Sequence, residues 1–323
     1  MSLLFSNAPH IKSGNSTKKI MIDVLIALLP PTVAGIIYFG LKAFAVIAVS
    51  VICAVLSEFT YELIMGKKIK EIANAFDYSS CVTGLILALI MPATWHLYVP
   101  ALASIFAIVV VKMLFGGTGK NLVNPAVTGR IFAFISFTTI MNTFVSPNFT
   151  PVDGQIIAGA TSLQSFLSTG AHNMSNWELL LGLGNPGCIG ETCKIAILIG
   201  ATYLVVKGII NVFMPILTIV LCGLVTVLLN DFNFMVFLPS ILSGGLIFCA
   251  FFMATDFVTN PTTALGQYVF FGLLGILTAL LRHFTGYETI SFAIIIMNLL
   301  VPLIDKVTIG KPFGYKKPKK GDL

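Results

Sequence analysis

Two connections between apolar segments carry side chains that could bind a ligand. They run from Gly116 to Arg130 and from Met253 to Gly266, and each combines an Asn-Pro pair with glycines and several hydroxyl groups. Such residues form turns beside helix starts, where free N–H groups and a nearby Lys or Arg suit an anionic or multiply hydrogen-bonding ligand. Taken alone, each connection is typical of a simple capping turn. The pair on one face of the protein favours a shared ligand site.

Other residues that could bind a ligand or a metal argue against several classes of site. Gly116–Lys120 lacks the spacing and the preceding strand of a phosphate-binding P-loop. The four histidines lie in loops or at the ends of apolar segments, so no pair of them is placed to ligate a haem inside a membrane. Cys188 and Cys193 share a polar loop but would need two more ligands for an iron–sulfur site, so we expect ordinary thiols and no metal.

The acidic residues within or beside apolar segments are few. Because they cluster near segment ends, we interpret them as solvated rather than as a chain of acids crossing the membrane. They are Asp23, Glu58, Glu62, Asp256 and Asp305.

The composition indicates a membrane protein. Of 323 residues, 57% are hydrophobic and 10% charged, too little polar surface to cover a water-soluble particle. About 20 apolar residues cross the hydrocarbon core of a bilayer, and the sequence predicts about ten such spans. They are Ile20–Leu41, Ala43–Met65, Tyr78–Met91, Leu97–Phe115, Ala126–Phe144, Lys194–Ile210, Val212–Leu229, Phe234–Ala254, Leu265–Leu281 and Thr289–Ile304.

The basic residues predict the orientation of these spans. The net charge of +6 comes from lysines beside apolar segments, which orientation in a bilayer explains better than nucleic-acid binding. With both termini in the cytoplasm, most basic residues fall on that side, including the tail from Lys306 to Lys320. Only Lys42, Lys194 and Arg282 fall near helix ends on the other side. The polar loop from Ser146 to Thr192 is then expected outside the cytoplasm.

An internal repeat divides the chain into two membrane halves. A shift of 161 residues aligns Thr83–Thr94 with Gly244–Thr255 at five of twelve positions. Because the shift corresponds to five spans, an odd number, the halves would be inverted repeats. We therefore expect an all-α polytopic membrane protein with about ten transmembrane helices in two inverted five-helix repeats. Residues 1–145 form the first repeat, 146–192 the loop, and 193–323 the second repeat with its Lys-rich tail.

The third and eighth predicted spans are irregular at matching places in the two halves. The third is short and stops before Pro92, and the eighth is interrupted by Pro239 and Gly244-Gly245. Irregular segments at matching places point towards a midplane or interfacial binding site. Helix packing through small residues is the alternative explanation.

Several stretches resemble one family over nearly the whole length and in order. Ala158–Ser162, in the polar loop, resembles the flavin-attachment motif of the Rnf and Na+-translocating NADH:quinone reductase families, in which a Thr carries FMN through a phosphoester. Four further stretches resemble the RnfD component of Rnf complexes and its relative in the quinone reductase, NqrB. They are Gly117–Ala126, Met253–Asp256, Thr259–Thr263 and Cys188–Thr192. The length and the short N-terminal lead look more like the Rnf component.

This resemblance implies a flavin-carrying membrane subunit of an Rnf-type complex, an electron-transport translocase of the bacterial cytoplasmic membrane. The complex would couple ferredoxin:NAD+ electron transfer to movement of Na+ or H+, and this subunit would not be active alone. Its partners would be other membrane and peripheral subunits, an FMN transferase and membrane lipid. Thr161 would carry the covalent FMN.

The resemblance also implies a second, noncovalent flavin, riboflavin or FMN, near the two Asn-Pro connections. Its expected contacts are Gly117, Lys120, Asn121, Asn124, Arg130, Asp256, Thr259, Asn260, Thr262 and Thr263.

The attachment motif departs from the family pattern at two positions. Gln155 stands where the family usually has Asp, and Ala158 where it has Ser or Thr. Ser168–His172 mimics the motif but has His in place of the acceptor hydroxyl, so we reject it. Two other classes stay open from the residues alone: a urea-transporter-like channel or transporter, which also uses inverted five-helix repeats, and a scaffolding subunit without flavin. Flavin absorbance separates both from the redox subunit.

Overall fold

The computed structural model describes residues 16–145, 147, 175–184 and 186–310, and these form helices and turns without a β-strand. A π-helix, Phe106–Met113, continues α5, and a 3-10 turn, Phe234–Val236, leads into α11. The α-helices are α1 Thr17–Phe39, α2 Leu41–Ile64, α3 Ile69–Ala75, α4 Ser79–Leu89, α5 Tyr98–Ile105, α6 Pro125–Ser136, α7 Thr138–Met141, α8 Asn176–Leu181, α9 Lys194–Val206, α10 Phe213–Leu229, α11 Phe237–Leu242, α12 Leu246–Phe252, α13 Ala264–Thr285 and α14 Ile290–Thr308.

The apolar helices indicate a membrane protein, and some of them are long enough to cross a membrane alone. In the described part of the chain, α1, α2, α13 and α14 are long and apolar enough to cross a membrane alone. Two further spans are possible if each of two bent helix pairs counts as one. The other apolar helices, α5 with its π continuation, α6, α9 and α10, have 10–17 residues. Helices occupy all ten predicted segments, yet the count of ten spans is not confirmed.

One of the two bent helix pairs lies where the sequence predicts an irregular segment, at Gly244-Gly245, whereas the other bends at residues 76–78, where the third predicted span begins, and not at Pro92. In the first pair, α3 and α4 meet at 67°, and in the second, Phe234–Leu242 and α12 meet at 59°. Tyr78 turns the chain at the first break with φ 64°, and Gly244 turns it at the second with φ 67°. A positive φ is strained for tyrosine but not for glycine, so the first break needs support from its surroundings.

Close helix crossings depend on small residues. A Cβ atom at Gly84 of α4 would lie 2.9 Å from the Ala54 Cβ of α2, and one at Gly275 of α13 would lie 2.6 Å from the Thr218 carbonyl of α10. Small residues let helix backbones approach in a bilayer, where packing rather than water exclusion drives association.

Several helix contacts recur in the two halves of the chain. Helix α2 packs on α4 and α5, and its counterpart α10 packs on α12 and α13. Helices at the same place in each half also pack on each other, α1 on α9 and α6 on α14. The two bent pairs therefore have comparable neighbours.

Candidate functional site

Asn124 joins the two Asn-Pro connections. Its side-chain oxygen accepts hydrogen bonds from the N–H groups of Ala126 at 3.0 Å and Val127 at 3.3 Å, which caps α6. Its Nδ2 donates to the carbonyl of Met253 at 3.1 Å, at the start of the second connection. One buried side chain thus starts the helix and holds the two connections in contact.

A pocket of about 810 Å³ lies beside this contact, and we call it the Asn124 pocket. Its apolar wall comes from α1, α4, α9 and α12 and includes Phe251 and Phe252. A largely apolar pocket with a few polar groups is typical of a site for a small organic ligand. Those polar side chains are Ser79, Thr83, Lys112, Thr118, Asn121, Asn124, Thr255 and Asp256.

A buried lysine that is paired with a glutamate lines this pocket. Lys112 is 2% exposed, and its Nζ donates to Glu58 Oε1 at 2.8 Å and to Ser79 Oγ at 2.7 Å. The Ser79 hydroxyl also bonds to the Asp77 carboxylate and lies 3.0 Å from Thr118 Oγ1. The expectation that Glu58 is solvated is wrong, because Glu58 pairs with a buried cation that was not among the predicted site residues. An acid and a lysine inside separate apolar segments were the available signal.

Only some of the predicted noncovalent-flavin contacts line the Asn124 pocket. Asn121, Asn124 and Asp256 do so. Asn260 and Thr262 line a neighbouring groove instead. The remaining contacts on the connections lie near the pocket without lining it, namely Gly117, Lys120, Thr259 and Thr263.

Two of these residues have clear local roles. The Thr259 hydroxyl donates to Asp256 Oδ2 at 3.2 Å, and the Thr263 side chain accepts from the Gly266 N–H at 3.0 Å and caps α13. Burial raises the pKa of Asp256, although the bonds from the Val258 N–H and the Thr259 hydroxyl act in the opposite direction. Asp256 is therefore easier to protonate than an exposed aspartate.

Arg130 does not belong to the Asn124 pocket. It lies six residues after Asn124 on α6, which is a rise of about 9 Å, and its guanidinium reaches a second pocket of about 760 Å³. We call this the Arg130 pocket. Its aromatic lining is Phe134, Phe144, Tyr287 and Phe292, and its polar lining includes Arg130, Asn142, Glu191, Lys194, Glu288 and Ser291.

The Cys188–Glu191 turn forms one side of the Arg130 pocket. It is held against the end of α4, because the Ile189 N–H donates to the Met91 carbonyl at 3.0 Å and the Gly190 N–H to the Leu89 carbonyl at 2.7 Å. Burial raises the pKa of the Cys188 thiol well above its usual value, and neighbouring Glu191 adds to this, against the opposing effect of Arg130. The thiol is therefore neutral and does not cancel the charge of Arg130.

Three buried polar atoms at the Arg130 pocket have no hydrogen-bond partner among the described residues. They are Arg130 Nη1, Glu191 Oε2 and Ser291 Oγ. The other oxygen of Glu191 accepts from the Cys188 N–H at 3.0 Å, and Arg130 Nη2 lies 3.9 Å from Cys188 Sγ. Buried polar atoms are rarely left unpaired in proteins, so these three indicate a place for a ligand or for water.

The sequence places Lys194 and Arg282 near helix ends on the side of the membrane away from the cytoplasm. In the structure both side chains are buried at the second break. Lys194 Nζ donates to the Glu191 carbonyl and, at 2.6 Å, to the Gly244 carbonyl. Arg282 donates to Glu288 Oε2 at 2.6 Å and to the Ser240 carbonyl at 2.9 Å. The carbonyl groups freed at the break explain why both cations turn inward.

Glu288 completes this cluster. Its Oε2 accepts from the Gly245 N–H at 2.9 Å as well as from Arg282. Burial acts to raise the pKa of Glu288, but Arg282 outweighs it and holds that pKa below its usual value. The carboxylate is thus ionised and paired.

Thr161 lies outside the described residues, as do Gln155 and Ala158. The described chain just before this segment lines the Arg130 pocket with Met141, Asn142 and Phe144. After the segment the described chain resumes at Ser175, and residues 175–184 do not line the pocket, whereas Pro186 and Gly187, farther along the chain, do. The segment that contains Thr161 therefore begins close to this pocket.

The thiols give no sign of a metal centre or a disulfide. All six cysteines are free. Within the described ranges, no three His, Cys, Asp or Glu side chains lie close enough together to hold a metal ion.

Comparisons with known proteins give consistent matches along the chain. A model of the NQR2, RnfD, RnfE family matches residues 4–314. The chain is 35% identical over 323 residues to the D component of the Na(+)-translocating ferredoxin:NAD(+) oxidoreductase complex of Acetobacterium woodii, covering 99% of this chain and 98% of the relative. It is 36% identical over 328 residues to the D component of the proton-translocating ferredoxin:NAD(+) oxidoreductase complex of Clostridium ljungdahlii, covering 97% and 96%. The D component of the ion-translocating oxidoreductase complex of Alcanivorax borkumensis is 32% identical over 345 residues, covering 99% of both chains.

Proposed function

The chain belongs to the NQR2, RnfD, RnfE family, and from this we propose that it is the flavin-carrying membrane subunit of an ion-translocating ferredoxin:NAD+ oxidoreductase complex. The subunit works with other membrane and peripheral subunits and not alone. The names of two relatives of nearly equal identity specify sodium in one case and protons in the other. We therefore propose that the complex translocates an ion, without specifying sodium or protons.

The observation that carries the flavin assignment is the position of the Arg130 pocket. The segment containing Thr161 begins shortly after Phe144, which lines a pocket with aromatic walls and unpartnered buried polar groups. Thr161 carries FMN through a phosphoester formed by an FMN transferase, and the ring occupies this pocket. A flavin accepts electrons singly or in pairs, and the protein contributes binding, orientation and electrostatics.

A second, noncovalent flavin, riboflavin or FMN, occupies the Asn124 pocket. Phe251 and Phe252 offer an apolar face to a ring, and Asn121, Asn124 and Asp256 offer hydrogen bonds to its polar edge. The buried Lys112, which is paired with Glu58, lies beside that edge.

The topology extends this assignment to the two sides of the membrane. The two bent pairs and their matching neighbours support two inverted five-helix repeats. Both termini and the Asn124 pocket then face the cytoplasm, and the Arg130 pocket faces the opposite side. In inside-out vesicles Lys67→Cys should react with a membrane-impermeant maleimide and Asn176→Cys should not. The reverse result would contradict the orientation.

In-gel fluorescence tests the covalent flavin. After denaturing electrophoresis of the complex, an ultraviolet-excited flavin band should run with this subunit and disappear in Thr161→Val, because valine has no hydroxyl to accept the phosphoryl group. Thr169→Val, in the rejected second motif of the same loop, is the matched control and should keep the band. A band that persists in Thr161→Val refutes this attachment site, and a complex without flavin favours a channel or a scaffolding subunit.

A further inference from the structure

The three unpaired buried atoms at the Arg130 pocket include a guanidinium donor and a carboxylate acceptor. Arg130 is 8% exposed and Glu191 5% exposed, yet Arg130 Nη1 and Glu191 Oε2 have no partner among the described residues. Leaving a buried donor or acceptor unpaired costs about 1–3 kcal/mol, and more for a charged group. A ligand edge that carries both an acceptor and a donor would satisfy both atoms.

The charge of Arg130 is also available to a ligand. None of the ion pairs found in the described part of the chain includes Arg130. The other cations near this pocket are engaged, since Lys194 Nζ binds two backbone carbonyls and Arg282 pairs with Glu288. Arg130 is thus the buried cation of this cluster whose guanidinium keeps an open donor.

The position of Glu191 depends on the second break. Its Oε2 lies against Gly245, where a Cβ atom would collide with it. The aromatic wall is also ordered, since Phe134 of α6 and Phe292 of α14 pack edge to face with ring centres 5.9 Å apart. The pocket therefore combines a built polar edge with a flat apolar wall.

We propose that Arg130 and Glu191 recognise the imide edge of a flavin ring, with Arg130 donating to a ring carbonyl and Glu191 accepting from the ring N–H between the carbonyls. This inference rests on the proposed function. Arg130 also favours the reduced ring, because uptake of two electrons and one proton converts the neutral oxidised ring into an anionic hydroquinone. An adjacent cation stabilises the anionic form, so Arg130 acts as a binding and potential-setting residue.

Redox titration of the covalent flavin in the purified complex, with dithionite as reductant, tests the role of Arg130. In Arg130→Gln the ratio of reduced to oxidised flavin at a given potential should fall about tenfold or more, which for a two-electron couple is about 30 mV. Arg130→Lys keeps the charge and should recover part of the shift. Lys207→Gln, which removes an exposed lysine at the end of α9, should leave the potential unchanged. An unchanged potential in Arg130→Gln overturns the inference.

A second experiment tests Glu191 without altering the pocket side chains. In wild type the covalent flavin fills the pocket. The Thr161→Val complex should therefore bind one more equivalent of added riboflavin than the wild-type complex does. Methylation at the imide nitrogen removes the donor, so 3-methylriboflavin should bind this extra site about tenfold or more weakly, as expected for a lost hydrogen bond to a charged group. Equal binding of the two probes overturns the inference. A wild-type complex without the covalent band refutes the proposed function itself, which the titration alone would not do.

Discussion

Buried cations hold both breaks of the bent helix pairs, but they do so in different ways. At the first break, Lys112 binds the side chains of Glu58 and Ser79, and Ser79 in turn bonds to Asp77. At the second, Arg282 binds the Ser240 carbonyl directly and pairs with Glu288. Arg282 uses the fixed fork of a guanidinium, whereas Lys112 acts as a point charge among side chains.

The difference concerns what each cation does for its pocket. Lys112, Ser79 and Thr118 line the Asn124 pocket themselves, so the network that holds the first break is also the ligand-facing wall. Arg282 does not line the Arg130 pocket, where Arg130 and Lys194 provide the positive charge. At the first break, one lysine both stabilises the bend and lines the ligand pocket. At the second break, Arg282 stabilises the bend and other residues line the pocket. Substitutions of Lys112 and Arg282 should therefore have different consequences.

Arg282→Met is expected to have the largest effect, on stability. It leaves Glu288 buried without its partner, and breaking a buried ion pair in this way costs about 3–5 kcal/mol. Thermal unfolding of the purified complex should show a strong loss, with both flavins affected together. The double variant Arg282→Met with Glu288→Leu is the control and should recover much of the loss. A stable Arg282→Met complex would show that the second break does not depend on this pair.

Lys112→Gln should affect binding of the noncovalent flavin more than the stability of the protein. The amide leaves Glu58 without its cation but can still donate a hydrogen bond to Ser79 or Glu58, which methionine at position 282 cannot do for Glu288, so we expect a loss of stability near the lower end of about 3–5 kcal/mol. Noncovalent flavin content should fall while the covalent band stays. Extraction of noncovalent flavin, compared with in-gel fluorescence, measures the two separately. Equal loss of both flavins would remove the distinction between the two breaks.

The sequence predicted the helical membrane fold and one of the two breaks, because hydropathy and Gly or Pro act locally. Pro239 and Gly244-Gly245 indicated the second break, and the structure has a bent pair there. The cations that hold the breaks were not predictable in this way. Glu58 and Lys112 are 54 residues apart and meet only through helix packing.

The candidate sites were predictable to a similar extent. The two Asn-Pro connections were expected to share a face, and the Asn124 side chain joins them. Arg130 was grouped with them because it is close in sequence, but the rise along α6 carries it to another pocket. The Glu191 and Glu288 groups were missed, since Glu191 lies in a polar loop where an acid gives no signal of burial.

The smallest effects on stability and flavin content are expected from substitutions of the asparagines in the two Asn-Pro connections. Asn124→Ala loses both the cap of α6 and the bond to Met253, so we expect about 1–2 kcal/mol of destabilisation together with a lower noncovalent flavin content. Asn260→Ala should lower the flavin content less, because Asn260 lines the neighbouring groove and not the Asn124 pocket. Flavin extraction from matched preparations measures the difference, with the covalent band as the internal reference. If the two variants lose flavin equally, the noncovalent flavin extends from the Asn124 pocket into that groove; if neither loses any, both connections are simple capping turns.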